Sequence, residues 1–235
     1  VHPEVGIVRP INEQHQDLFG SLENTMKAKY ELIRGLVGRK IAIFNADNPY
    51  TRKMASWAND DGCQVMYYAL EQKRDTHTVY AVDIDATLDG TSLTIEANKV
   101  KKRIHVTLLG KHQVANVMAG VAAAMQCGMT QDEVIQACSH IQPFPKTMQL
   151  IGGIHGANFI DDTFNNNPDA ARAALDFLAT APGRKFFVFQ PMIELGKYAE
   201  GGHKTVGAQA ATICDEIFLT NDNFYESFIG GVRSV

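Results

Sequence analysis

Hydrophobic and polar positions alternate between two patterns along the chain, short apolar runs and helix-spaced apolar stripes. Val5-Gly-Ile-Val8 and Lys40 to Asn45 are runs of the kind that form buried strands. Between them, Ser21 to Gly35 carries apolar residues at helical spacing, with Ser21 placed as N-cap. Pro49 to Asn59 reads as a second helix with proline near its start. Gln64 to Leu70, Thr78 to Ile84, Ser92 to Ala97 and Arg103 to Leu109 read as strands, with a hairpin-type turn at Asp89-Gly90. Lys111 to Cys127 and Gln131 to Ser139 read as helices, parted by Gly128 and capped afresh by Thr130.

Gln142-Pro-Phe-Pro145 interrupts the pattern, which places a domain boundary there and divides the chain into residues 1–142 and 143–235. Beyond it the expected order is strand (Gly156 to Ile160), helix (Pro168 to Thr180), strand (Lys185 to Gln190), helix (His203 to Ile213) and strand (Glu216 to Thr220). Strands alternating with helices predict a parallel, doubly wound sheet, so the fold class is α/β in both halves, with antiparallel strands late in the first. The second half is expected to end soon after Thr220.

Composition narrows the classes of function. The formal net charge is -4, and the densest basic run, Lys99 to Arg103, is short and strand-like, which argues against a nucleic-acid partner. No apolar run approaches the roughly 18 residues of a membrane span. Cys63, Cys127, Cys138 and Cys214 are widely spaced, as expected of buried free thiols in a reducing cytoplasm. The sequence opens on Val1 rather than Met, so upstream residues are expected.

Three features could carry chemistry. On a helical wheel of about 100° per residue, Leu22, Met26, Tyr30, Leu32, Ile33 and Leu36 form one apolar face with Lys29 in its middle. A lysine there must be paired, snorkelled or chemically altered. Asp161-Asp-Thr-Phe-Asn-Asn-Asn-Pro168 follows a strand and opens a helix, with Asn167 as N-cap, a place where α/β sheets bind ligands. Turn chemistry accounts for the same residues. Asn116 shares a helix face with Ala119, Gly120 and Ala123, which suits a flat ligand or close helix packing. His15 follows a strand end and precedes Asp17, while His2, His77 and His105 stand alone. The 235 residues contain no glycine-rich phosphate loop.

Taken in order, these blocks resemble the Mur ligase family. The stretch from Val5 through His15-Gln-Asp-Leu-Phe-Gly-Ser21, the Ala28-Lys29 pair, Asn45-Ala-Asp47, Lys111-His-Gln-Val-Ala-Asn116, Asp161 to Pro168, and Glu194-Leu-Gly196 followed by His203 carry the resemblance. It implies a central nucleotide-binding domain, incomplete at its N-terminus, and a Rossmann-like C-terminal domain. It also implies ATP and Mg2+ as cofactors and amide formation through an acyl phosphate. The later blocks are most similar to the branch that joins D-Ala-D-Ala to a UDP-MurNAc-peptide.

By the same resemblance, His15 and a carbamylated Lys29 would be catalytic metal ligands, and Asn45, Asp47, Asn116, Lys146, Asp162 and Asn165 would contact the nucleotide. The family's phosphate loop, and the acidic metal ligand after it, are expected before Val1, so these 235 residues alone are not expected to turn over ATP. Three departures stand out: Arg9-Pro10 where the family has Thr-Asn, Thr147 where it has an arginine, and Gln190-Pro-Met-Ile before Glu194. Two other readings stay open, a folate polyglutamate or cyanophycin-type synthetase and a noncatalytic module that binds a nucleotide or a protein partner.

Overall fold

The computed structural model of the chain describes residues 2–71 and 78–235; His77 lies outside them. Contacts group the residues up to Ile11 with Leu22–Gln142 as one unit, and Asn12–Ser21 with Pro143–Val235 as a second.

The first unit opens with strand β1 (Val5–Val8), and a one-turn helix α1 (Gln16–Phe19) follows in the segment that belongs to the second unit. Next come α2 (Leu22–Arg34), β2 (Ile41–Asn45), α3 (Pro49–Asp60), β3 (Gln64–Ala69), β4 (Thr78–Thr87), β5 (Gly90–Ala97), β6 (Val100–Val106), α4 (Lys111–Gln126) and α5 (Gln131–Cys138). The strands form one sheet in the order β1-β2-β3-β4-β5-β6. β1 to β4 pair in parallel, and β5 and β6 extend the sheet as an antiparallel meander.

All five positions of β2 are buried, as expected of a central parallel strand covered on both faces. Side chains alternate across the pleat. Ile41 and Ile43 pack in the cluster that holds Val114, Val117, Met118 and Val121 of α4. Ala42 and Phe44 pack on the opposite side with Met26, Tyr30 and Ile33 of α2 and Met54, Ala55 and Ala58 of α3. Asn48 caps α3 by accepting from the Tyr50 and Thr51 amides, and Thr130 forms a reciprocal capping box with Glu133 at α5.

The second unit contains β7 (Gln149–Gly152), β8 (Asn158–Asp161), α6 (Pro168–Thr180), β9 (Phe186–Phe189), a 3₁₀ turn (Gly196–Tyr198), α7 (Ala199–Ile213), β10 (Glu216–Leu219) and α8 (Tyr225–Val232). Its parallel pairing is confined to β9 and β10, whereas β8 pairs antiparallel with β7. A single doubly wound sheet through Gly156 to Ile160 is therefore not what forms. His155 and Gly156, both left-handed, make a turn closed by the Gly153 amide on the Ala157 carbonyl, and this sends the chain back along itself.

α8 lies beyond the end expected for this unit, and its apolar, glycine-containing sequence packs very closely on α7. A Cβ on Gly207 would lie 2.2 Å from the Phe228 carbonyl oxygen, and one on Gly231 would lie 2.0 Å from that of Lys204. All four cysteines are free. Cys127 departs from expectation in being exposed, because it sits at the C-terminal cap of α4. Among the described residues no helix is long and apolar enough to cross a membrane.

Candidate functional site

In the first unit the candidate groups collect where β1 to β3 end. Asn45 closes β2, and its side-chain oxygen accepts from the amides of Asp47 and Asn48, each at 2.9 Å. The Asp47 carboxylate reaches across to the end of β3, accepting from the Leu70 amide at 2.7 Å and the Glu71 amide at 3.2 Å. Asn48 donates to the Ile11 carbonyl beyond β1 at 3.0 Å. These side chains tie three strand ends together, so the carboxyl edge of the sheet is a braced platform. Tyr68 lies beneath it, its phenol pushed up to about 12 by burial despite Arg9 and the Asn45 hydrogen bond, which act the other way.

Round α2, Lys29 falls between buried Thr25 on one side and buried Ile33, Met26 and Tyr30 on the other. Met26, Tyr30 and Ile33 are buried, but Leu32 is 45% exposed and Lys29 itself reaches solvent. The buried face is narrower than the apolar positions on the wheel. Partial burial lowers the Lys29 ammonium's pKa, and the nearby positive charge of Arg9 lowers it further. Asn116 is half-buried on α4 and donates to the Gln113 side chain at 3.0 Å. Beside it, among the described residues nothing outside Gly120's own helical turn lies within 4 Å of a Cβ built there, so that position faces open space.

In the second unit His15 caps α1 in a left-handed conformation, and its Nδ1 lies 2.6 Å from Oε2 of Glu194. Both side chains are about half exposed, 47% and 46%. The turn Met192 to Lys197 and Asp17 line an open pocket of about 410 Å³. Behind it lies His203, fully buried, whose Nε2 accepts from the Met192 amide at 2.9 Å and whose Nδ1 donates to the Ala199 carbonyl at 2.7 Å. Burial lowers the pKa of His203 and favours the neutral ring that these two bonds require.

Asp162 accepts from the Met148 amide at 3.0 Å, and burial raises the pKa of its carboxyl, opposed by that bond and reinforced by Asp161. The Phe164 amide donates to the Lys146 carbonyl at 2.9 Å, and the Phe144 and Phe164 rings meet edge to face at 5.2 Å. Lys146 is thus held beside the loop that carries Asp162, and Asn165 is exposed on the same loop. Sequence reasoning missed Tyr68 at the sheet edge and noted Arg9 only as a departure from the family pattern. It noted Glu194 and His203 only as parts of a motif, because their partners are distant along the chain or are backbone groups.

The braced strand ends of one unit and the acid-rich turns of the other define an α/β protein with polar groups where such sheets take ligands. The model of the Mur ligase middle domain matches residues 1–124, and that of the Mur ligase, glutamate ligase domain matches residues 148–229. The chain belongs to the Mur ligase family.

It is 29% identical over 210 residues to the UDP-N-acetylmuramoyl-tripeptide–D-alanyl-D-alanine ligase of Bacillus subtilis, covering 88% of this chain and 43% of that protein. The chain therefore spans less than half the length of that relative. The fold is shared with a MurF from Acinetobacter baumannii at a TM-score of 0.89 and 24% identity, covering 99% of this chain and 50% of the other. It is shared also with the MurF of Thermotoga maritima in complex with ADP, at 0.85 and 22%, covering 97% and 51%.

Such relatives raise the question of whether the residues present suit Mg2+. Among the described residues no group of three or more His, Cys, Asp or Glu side chains could hold a metal. Mg2+ commonly keeps several waters and is bound through one or two carboxylates beside substrate phosphates. His15, exposed and engaged through Nδ1 alone among the described residues, could add one nitrogen ligand beside such carboxylates, and Asp17 lines the same pocket as Glu194.

Proposed function

We propose that this chain is the middle and C-terminal part of an ATP-dependent ligase that adds D-alanyl-D-alanine to a UDP-N-acetylmuramoyl-tripeptide, with its domain boundary at Gln142. The observation that carries the reading is the match over 88% of the chain to an enzyme of that name. The ADP in the Thermotoga maritima relative supports nucleotide use.

In the first unit, Asn116 offers its amide to the adenine edge, and Asn45 with Asp47 forms the braced floor beside the nucleotide. In the second, Asp162 and Asn165 serve the ribose side, and Lys146 supplies a point charge towards the phosphates where a bidentate arginine is absent. His15 is a ligand of Mg2+, which when bound neutralises charge on the transferring phosphoryl group.

Lys29 acts as its carbamate. The neutral amine attacks CO2, forming the N–C bond and releasing one proton, and the lowered ammonium pKa raises the fraction of amine able to do so. The product carries a negative charge, so the repulsion with Arg9 becomes attraction. A lysine-carbamate signal after loading with 13CO2, lost in Lys29→Arg, is the expected result; its absence from the unaltered protein rejects this role.

The reaction is tested by ADP release from the gene product that contains these 235 residues, given ATP, Mg2+, UDP-N-acetylmuramoyl-tripeptide and D-alanyl-D-alanine. Release that requires both substrates supports the proposal. Release with glutamate in place of the dipeptide moves the chain to a polyglutamate-adding branch. Nucleotide binding without release favours a noncatalytic module, a reading that draws on Arg9-Pro10 and Thr147.

A further inference from the structure

We infer that Glu194 is a positioning residue that holds the His15 imidazole as its Nδ1–H tautomer, leaving Nε2 with a free lone pair to bind a divalent cation. The inference rests on the proposed metal role of His15 and adds a residue that sets the geometry of that role. An ionised carboxylate only accepts hydrogen bonds, so the 2.6 Å contact between Oε2 and Nδ1 requires the ring proton on Nδ1. A neutral imidazole has one proton to place, and the nitrogen that lacks it is the ligand. A carboxylate behind a ligating histidine is a recurrent way to fix both tautomer and ring orientation.

The backbone around the pair is arranged for this contact. His15 and Glu194 both adopt left-handed conformations, with φ of 60° and 62°, a region uncommon for non-glycine residues though histidine is enriched in it. The Asp17 amide points to the Glu194 carbonyl at 3.5 Å. Gly196, with φ of 53°, lets the turn approach α1, since a Cβ there would sit 3.1 Å from Oδ1 of Asp17.

His203 fixes the turn from behind by bonding Met192 before Glu194 and Ala199 after it. The Phe224 ring stacks on His203 with centroids 4.4 Å apart. Little freedom is left to Glu194 beyond its own side chain, and that side chain is spent on His15.

The test is 15N NMR of histidine-labelled chain at a pH near 8, above the ordinary histidine range. In the unaltered chain, His15 is expected to show a protonated Nδ1 and a pyridine-like Nε2. Glu194→Ala should exchange the two signals, and Glu194→Gln, whose amide oxygen still accepts, should preserve the original pattern. The His203 signals serve as the control for folding, because its partners are backbone groups and should not respond. A His15 that carries its proton on Nε2 in the unaltered chain, or a pattern that Glu194→Ala leaves unchanged, overturns the inference.

Mn2+ separates this from the underlying assignment. Broadening centred on His15 Nε2 that weakens in Glu194→Ala supports both. An intact tautomer exchange with no Mn2+ broadening removes the metal role while leaving Glu194 as the group that sets the ring. Equal broadening in the unaltered and Glu194→Ala chains counts against positioning.

Discussion

The two units treat their polar candidates in opposite ways. In the first, Asn45 and Asp47 stand at the ends of strands in a six-stranded sheet, and their side-chain oxygens are bound to backbone amides. In the second, His15, Lys146 and Glu194 sit on turns, each with positive φ, beside a parallel sheet of only two strands. The sheets differ in the same sense. β2 is buried throughout, whereas Phe186, Val188 and Phe218 on the outer face of β9 and β10 remain exposed. One unit places its groups through a scaffold that any core change would disturb. The other places them one turn at a time, so that a single side chain can be altered without loss of the fold.

The sharpest test of that contrast is a matched pair of truncations. Phe44→Ala in β2 should cost about 3–5 kcal/mol of the first unit's stability, while Val188→Ala on the exposed face should stay within about 0.5 kcal/mol. Similar losses in urea unfolding would remove the distinction. The second unit has rigid contacts of its own, and Gly207→Ala should cost about 3 kcal/mol or more by driving a methyl group into the Phe228 carbonyl. A melting curve unchanged by that substitution would show that α7 and α8 can separate freely.

Asp47→Ala should cost about 2 kcal/mol by stranding the Leu70 and Glu71 amides, with faster hydrogen exchange at both. Unchanged exchange there would mean that the strand ends are braced by something else. The smallest effect is expected at Asp162, whose carboxyl pKa is raised by burial. Its contribution is fully present below the ordinary aspartate range and is lost as pH rises through the folded value. Asp162→Asn, which keeps an acceptor for Met148, should gain stability relative to the parent at neutral pH and lose that gain in acid. A pH-independent difference between the two would contradict the assignment.

Much of this was legible from local pattern. Asn167 and Pro168 start α6 where capping chemistry puts them, and Thr130 with Glu133 announces α5. The parallel order of the first sheet follows from strands alternating with α2 and α3. What stayed hidden was non-local. The wheel places Lys29 among the buried positions of α2, and only packing shows that Leu32 is left outside the core and that Lys29 still reaches solvent. β7 was obscured by the proline-rich break before it, and α8 by glycines that lower helix propensity but are needed for contact with α7. The bond between His15 and Glu194 has no signature in either segment alone.

The order β1-β2-β3-β4-β5-β6 also bears on how the chain acquires its working form. Each strand of the first unit pairs with its successor in sequence, so the sheet can grow in the order of synthesis and close only modest loops at each step. The hydrogen bond from His15 to Glu194 spans 179 residues, and its acceptor emerges from the ribosome long after that sheet can be complete. The histidine therefore waits without its carboxylate partner while the intervening residues are made. Its ring is set only once Glu194 and the turn that carries it have been made and folded.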